Sequence, residues 1–320
     1  MKIPENFDWF FYINYYKDLK KSHIKTKAEA LHHYFLFGSQ EQRKINFADL
    51  TPLEKENFLI KWEEINQNQT RLKNFKNFKD SDLEIIRNHN LKTSKISVII
   101  SLYNYANFIE SAIQSVLNNE FEDCEIVVIN DNSTDNSLEL SKSFLSKNCN
   151  LTIINKKLNT GLSHTRNLGI HYCVGEYVFI LDADNTIYPN CLNNLFKFIK
   201  NKNLDAAYAT IECFDEDKNF IKYISNKEFD LNEIKDANYI DAMAMFKKQT
   251  LIMEKYSVDL LNWGTGYEDY ELWLRLGSKN YKIGHLNECL SRYLIKSDRM
   301  ISKTLLFKEE LEYFFLKKYG

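Results

Sequence analysis

Only three prolines and nine glycines interrupt this chain of 320 residues, too few for a collagen-like, linker-rich or low-complexity protein. Charge of one sign is also missing: 42 Lys and Arg stand against 44 Asp and Glu, a formal net charge of −2. Without a basic surplus there is no case for a nucleic-acid partner or an electrostatic membrane anchor. The six cysteines, Cys124, Cys149, Cys173, Cys191, Cys213 and Cys289, form no Cys-x-x-Cys and no Cys/His cluster. That spacing excludes a zinc site and reads as small thiols in a reducing compartment. Apolar runs such as Val98–Ile100 and Tyr177–Leu181 are strand-sized, so no integral membrane segment is expected. The first residues carry no apolar h-region, and a cytoplasmic location is the default expectation. Gly-x-Gly-x-x-Gly and the Walker P-loop are absent as well. A bound nucleotide would therefore need another device for its phosphates.

What is present divides the chain in two. Through the first ninety residues the texture is helical. Tyr12, Tyr15, Tyr16 and Leu19 recur at helical spacing, as do Leu31, Tyr34 and Phe35 before Gly38. Thr51-Pro52-Leu53-Glu54 has the form of a capping box with proline in the first helical position. Residues 71–95 are rich in Lys and Asn and suit an exposed helix or connector. From Lys95 onward, strands alternate with helices. Strands are expected at 96–102, 125–129, 151–155, 176–181 and 206–211, with helices at 108–117, 137–145, 163–172 and 189–200. Such alternation predicts an α/β domain whose mostly parallel sheet carries helices on both faces. The pattern then turns irregular until Glu268.

In a sheet of this kind ligands bind beyond the carboxyl ends of the strands. Three predicted strands end in polar clusters there: Tyr103-Asn104, Asn130-Asp131-Asn132-Ser133 and Asp182-Ala183-Asp184. Residues two apart on a strand project to one side, so Asp182 and Asp184 converge. Paired carboxylates at short range favour an intervening cation, and hard oxygen ligands select Mg²⁺ or Mn²⁺. The same tripeptide also reads as an ordinary polar turn. Asp131 is placed to accept hydrogen bonds from a base or ribose, or to make an Asx-turn into the next helix. Arg166, in a helix opened by Gly161, is either part of an anion site or a solvated arginine near a cap. Glu268 and Asp269 open a helix behind Gly264 and Gly266. The macrodipole favours acids at that position, and a carboxylate there can also serve as a general base.

Taken together, the order and spacing of these motifs resemble the family 2 glycosyltransferases, inverting enzymes with the GT-A fold. The matching stretches are residues 97–104, 128–135, 159–169, 175–184 and 266–276, within a resemblance that runs from about Lys95 to Ser302. The resemblance implies a GT-A domain over 91–302, after a helical N-terminal module and connector over 1–90 and before a C-terminal helix over 303–320. It implies transfer of a hexosyl or N-acetylhexosaminyl group from a UDP-sugar to a hydroxyl of a glycan or other acceptor. Tyr103 would lie against the uracil and Asp131 would bond its N3–H. Arg166 would sit near the donor nucleotide. Asp182 would touch ribose or metal, and Asp184 would ligate Mn²⁺ or Mg²⁺. Asp269 would be the base, with Glu268 beside it, and Trp263 and Gly266 would face the acceptor.

Two departures stand out. Asn130-Asp131 replaces the family's usual Asp-Asp, and Tyr293-Leu294-Ile295-Lys296 replaces a Tyr-Arg-x-His whose histidine can complete a metal shell. A protonated Lys296 cannot ligate a divalent ion but suits a diphosphate; metal affinity is then weaker, with His285 as a poor substitute ligand. The N-terminal segment, from Phe7-Asp8-Trp9 through His33-Tyr34 to Gly38, resembles a helical module attached to polysaccharide-building glycosyltransferases. The stripe from Leu305 to Leu316 suits a packing helix or a homo-oligomer contact. Two rivals remain: a sugar nucleotidyltransferase, which would want a glycine-rich loop where Tyr103-Asn104-Tyr105 stands, and a catalytically silent scaffold with a vestigial transferase domain.

Overall fold

The computed structural model describes residues 7–20, 24, 26–38, 41–44, 46, 49–90, 92–259, 266–296, 311, 314–315 and 318–319. It separates into two compact units, Met1–Asn66 and Gln67–Gly320. The first holds helices α1 (Trp9–Tyr15), α2 (Lys17–Lys20) and α3 (Lys27–His33), a π-helical turn over Tyr34–Gly38, and most of α4 (Pro52–Asn77). Its small core gathers Phe7, Tyr12, Leu19 and Ala30. The capping box read from the sequence is made: Glu54 accepts from Thr51 N at 2.8 Å, and Thr51 Oγ1 accepts from Glu54 N at 3.3 Å.

In the second unit the chain order is β1 (Leu83–Arg87), β2 (Ser94–Leu102), α5 (Ile109–Leu117), β3 (Cys124–Asn130), α6 (Ser137–Ser143), β4 (Leu151–Lys156), α7 (Leu162–Tyr172), β5 (Gly175–Asp182), β6 (Thr186–Ile187), α8 (Cys191–Asn201), β7 (Ala206–Phe214), β8 (Phe220–Ile224), α9 (Leu231–Asp236), β9 (Ala244–Lys247), α10 (Lys248–Glu254), α11 (Glu268–Ser278) and β10 (Ile283–Leu294). The strands make one sheet in the order β1-β4-β3-β2-β5-β9-β7-β10-β6, with β8 paired to β7. Strands β4, β3, β2 and β5 are mutually parallel. Strand β9 lies antiparallel between β5 and β7, which restores β7 and its parallel neighbour β10 to the common direction. Six strands therefore discharge their carboxyl ends at one edge.

Strand β2 shows why the sheet is buried on both sides. Ile96, Val98, Ile100 and Leu102 belong to one core with α5 and α8, while Ile99 joins the other with Ile170 of α7 and Leu272 of α11. Successive side chains point to opposite faces, and each aliphatic fully removed from water contributes about 1.5–3 kcal/mol. Helix α7 comes so close that a Cβ on Gly169 would meet Ile99 and Ile129 at 2.7 and 2.8 Å.

Three expectations need correction. The first ninety residues are not helical throughout: 83–87 is a strand antiparallel to β4. Its Ile85-Ile86 are flanked by charge, because an edge strand needs little apolar surface, and the Lys- and Asn-rich texture concealed it. The stretch before Glu268 contains β8, α9, β9 and α10, short elements that give no clear period. The long strand β10 was not expected at all. Of the C-terminal helix, residues 311, 314–315 and 318–319 are helical, and the rest lies outside the described residues. No helix among the described residues is long and apolar enough to cross a membrane.

Candidate active site

The strand ends meet in two adjoining centres. At the first, the loops after β2 and β3 are laced together. Asn104 N donates to Ser133 Oγ at 3.0 Å, Thr134 N to Asn104 Oδ1 at 2.8 Å, and Tyr105 N to Ser137 Oγ at 2.9 Å. Asn104 and Asn132 take φ of 59° and 61°, a left-handed conformation that asparagine tolerates. Tyr103 is left 38% exposed at the rim. Behind it Asp131 is buried, and its carboxylate is already occupied. Oδ1 accepts from Lys156 Nζ at 2.5 Å and Thr160 N at 2.9 Å, and Oδ2 accepts from Gly161 N at 2.9 Å. Lys156, fully buried, also donates to Thr165 Oγ1 at 2.8 Å and to Thr160 Oγ1. The Asp131 carboxylate is thus a clamp on the loop that opens α7. Lys156 was missed in the sequence, where a lysine at the end of a strand reads as solvated.

The second centre surrounds Arg166. This residue does not face solvent: its side chain is 1% exposed, with Nη2 donating to Asp182 at 2.8 Å and Nη1 to Glu268 at 2.5 Å. The Tyr256 ring lies under the guanidinium at 5.1 Å. Tyr256 is itself fixed to α7 by reciprocal bonds with the Asn167 side chain, both 2.9 Å. Arg166 therefore joins β5 to the start of α11 from below. Burial pushes Glu268 up to about 8 against the pull of Arg166, and among the described residues its Oε2 has no hydrogen-bond partner. Asp269 remains partly accessible; burial raises its carboxyl too, with Arg166 opposing, while Oδ1 accepts from Tyr270 N at 2.7 Å. Tyr267, immediately before the pair, has φ of 71°, a strained conformation for a bulky residue. Gly266 is buried next to it.

Asp241 was missed entirely. Burial, then Asp182 and Asp269, hold its carboxyl well above the usual range, which sets it in the same acidic group. Tyr293 joins them, its hydroxyl raised by burial and by Asp241, Asp182, Asp184 and Asp269. Nothing in the sequence around Asp241 marks it, because the segment before β9 shows no period.

Asp184 completes the rim. Lys296 Nζ lies 2.7 Å from its Oδ2. Burial and Asp182 raise the Asp184 carboxyl, and Lys296 opposes them. The structure brings together Asp182, Asp184, Arg166, Glu268, Asp269 and Lys296; Trp263 lies outside the described residues. His285 does not join them. It is buried near the start of β10, bonded to Thr210 Oγ1 at 3.2 Å; it pairs with Tyr208 where Leu294 pairs with Phe214, a separation of about 20 Å along the sheet. Among the described residues no three His, Cys, Asp or Glu side chains are grouped to hold a metal ion. The two carboxylates expected to hold a metal, Asp182 and Asp184, each already face a cation. They do not fit a preformed divalent-ion cage.

The model of glycosyl transferase family 2 matches residues 97–258, about half the chain. This protein belongs to that family. An uncharacterized glycosyltransferase of Rickettsia bellii is 32% identical over 209 residues, 65% of this chain and 30% of that protein. The glycosyltransferase GlyG of Streptococcus pneumoniae is 27% identical over 140 residues, 43% of this chain and 46% of that one. The chain thus spans less than half the length of these two relatives. Among solved structures, S. aureus TarS 1-349 in complex with UDP superposes with a TM-score of 0.54 at 21% identity, covering 69% of this chain and 68% of that one. The GT-A type of sheet is shared. Residues 97–104, 128–135, 159–169 and 175–184 lie within the matched span, and 266–276, with Glu268 and Asp269, lies beyond it.

Proposed function

We propose that this protein transfers a sugar from a UDP-sugar to an acceptor hydroxyl with inversion, using Asp269 as the base. The reading is carried by one observation: two neighbouring acids at the start of α11 have divided roles. Glu268 is buried and bound to Arg166, whereas Asp269 is only half-buried and lies near enough to Asp182 to feel its charge. A base must reach its proton, and only Asp269 of the pair can. In the proposed reaction the acceptor oxygen forms a bond to the anomeric carbon as the bond from that carbon to the diphosphate breaks. The hydroxyl proton goes to the Asp269 carboxylate, and UDP departs. Glu268 and Arg166 hold the start of α11 in position.

The UDP assignment is supported by the exposed face of Tyr103 and by the structural neighbour, TarS, whose structures include complexes with UDP and UDP-GlcNAc. Asp131, with its oxygens already receiving three internal donors, would act on the base mainly by shaping the pocket. A hexosyl or N-acetylhexosaminyl group and a glycan acceptor are the chemistry we assign. The hyaluronan synthase of Pasteurella multocida, 29% identical over 69% of this chain and 22% of its own length, is in keeping with polysaccharide synthesis.

The test is UDP release from a panel of nucleotide sugars, with thermal shift in parallel. UDP should raise Tm by mass action on the folded state, and a UDP-sugar should turn over. Stabilisation by GDP or CMP but not UDP contradicts the donor assignment, and UDP binding without turnover of any sugar supports a silent scaffold instead.

A further inference from the structure

We infer that the Lys296 ammonium, held on Asp184, is the built-in counter-cation for the donor's diphosphate, so that donor binding requires no divalent metal ion. This rests on the UDP-sugar reading and concerns how the same site neutralises the phosphates.

Three observations place the ammonium. It lies 2.7 Å from Asp184 Oδ2. It also lies over two aromatic faces, 4.1 Å from the Tyr105 centroid and 4.8 Å from that of Phe108, an arrangement attractive to a cation. The backbone that delivers it is pinned on both sides: Leu294 N donates to Asn185 Oδ1 at 3.0 Å, and Ile295 N to Phe214 O at 2.7 Å. Tyr105 is fixed in turn through Ser137. Lys296 is thus positioned by β5, β7, β10 and the loop after β2, and it is no loosely solvated surface lysine. The side chains of Lys296 and Asp184 retain 16% and 15% exposure, so the pair is not sealed from solvent.

A divalent ion on Asp184 would have to displace Lys296 from the carboxylate and from both rings, or sit within about 5 Å of a like charge. The other carboxylate of the pair, Asp182, is engaged by the buried Arg166. An ammonium is a competent phosphate binder as a point charge. Lys296 therefore supplies, as part of the chain, the positive charge that a metal ion brings elsewhere. Mg²⁺ can nevertheless be held by one or two carboxylates plus substrate phosphates, and that alternative is what the experiment separates.

UDP affinity is measured by calorimetry on the full chain, in excess EDTA and then in Mn²⁺. The wild type should bind UDP in EDTA, with Kd changing less than about threefold when Mn²⁺ is supplied. Lys296→Met should weaken that metal-free binding roughly ten- to a hundredfold, the range of one charge-assisted contact, and Lys296→Arg should retain most of it. Lys296→His is the opposite test: it places a third ligating side chain beside Asp182 and Asp184 and should make UDP binding respond to Mn²⁺. Circular dichroism of each variant guards against misfolding. UDP binding by the wild type that appears only with Mn²⁺ overturns the inference and leaves the proposed function standing. Absence of UDP binding under both conditions overturns the donor reading, and this inference with it.

Discussion

The two ionic centres at the edge of the sheet contain the same kinds of groups and behave differently. Around Asp131 one acid faces one cation in a nearly dry setting, the side chains of Lys156 and Asp131 being 0% and 6% exposed. The backbone N–H groups of Thr160 and Gly161 donate to the same carboxylate, so the centre is well partnered and rigid. Around Arg166 a single guanidinium faces Asp182 and Glu268, with Asp269 and Asp241 close by, and burial raises Glu268, Asp269 and Asp241. Here the acids outnumber the cation. A balanced pair builds shape. An acid excess keeps carboxyl groups near the pH at which protons can move.

The largest effect should come from unbalancing the first centre. Lys156→Met leaves a buried carboxylate without its cation and should cost about 3–5 kcal/mol of stability in chemical denaturation. Replacing Asp131 by Leu in the same chain should recover part of that loss, because the orphaned charge is gone. A loss below about 1 kcal/mol for Lys156→Met would show the two centres to be alike.

A smaller effect is expected at the second centre. Asp182 is 29% exposed at its side chain and Arg166 keeps Glu268 as a partner. Asp182→Asn should therefore cost about 1 kcal/mol, close to the value of a partly solvated pair. A loss as large as that of Lys156→Met would mean that Arg166 depends on Asp182 alone.

The subtlest difference lies in pH dependence. Glu268 has an ordinary value of 4.5 and stands at about 8 in the folded protein. The folded state thus holds that proton more tightly than the unfolded chain. Its contribution is fully present below about 4.5 and is lost as the pH rises to about 8, since stability falls wherever the folded state binds more protons. Glu268→Gln should flatten the slope of Tm against pH across that window. An unchanged slope would place the raised carboxyl elsewhere in the group.

Much of this was readable in the chain. The five strands from Ile96 to Ile211 stood out because helices cover both faces and make each strand a continuous apolar run. The polar ends of those runs put Tyr103, Asp131, Asp182 and Asp184 at the correct edge. What failed to show were elements with little buried surface, β1 and β8, and elements too short to display a period, such as β9. Asp241 disappeared for that second reason. Arg166 was found but its burial was not: an arginine in the first turns of a helix reads as exposed, and only the fold reveals that two acids from distant segments bury it. Lys156 escaped because a lysine after an apolar strand normally marks solvent. Here Asp131, 25 positions earlier, turns it inward.

The most direct test of the account is the rate of sugar transfer by Asp269→Asn, measured beside its affinity for UDP. The substitution keeps the shape and removes the proton acceptor, and a general base contributes roughly 10²–10⁴-fold. The rate should fall by about that factor while UDP affinity stays within about twofold of wild type, because Asp269 serves the acceptor. In the wild type the rate should climb with pH through a value above the ordinary carboxylate range, since the base must be ionised and burial raises it, and this limb should vanish in the variant. A near-normal rate for Asp269→Asn with the same pH limb would contradict the assignment and move the base to another residue.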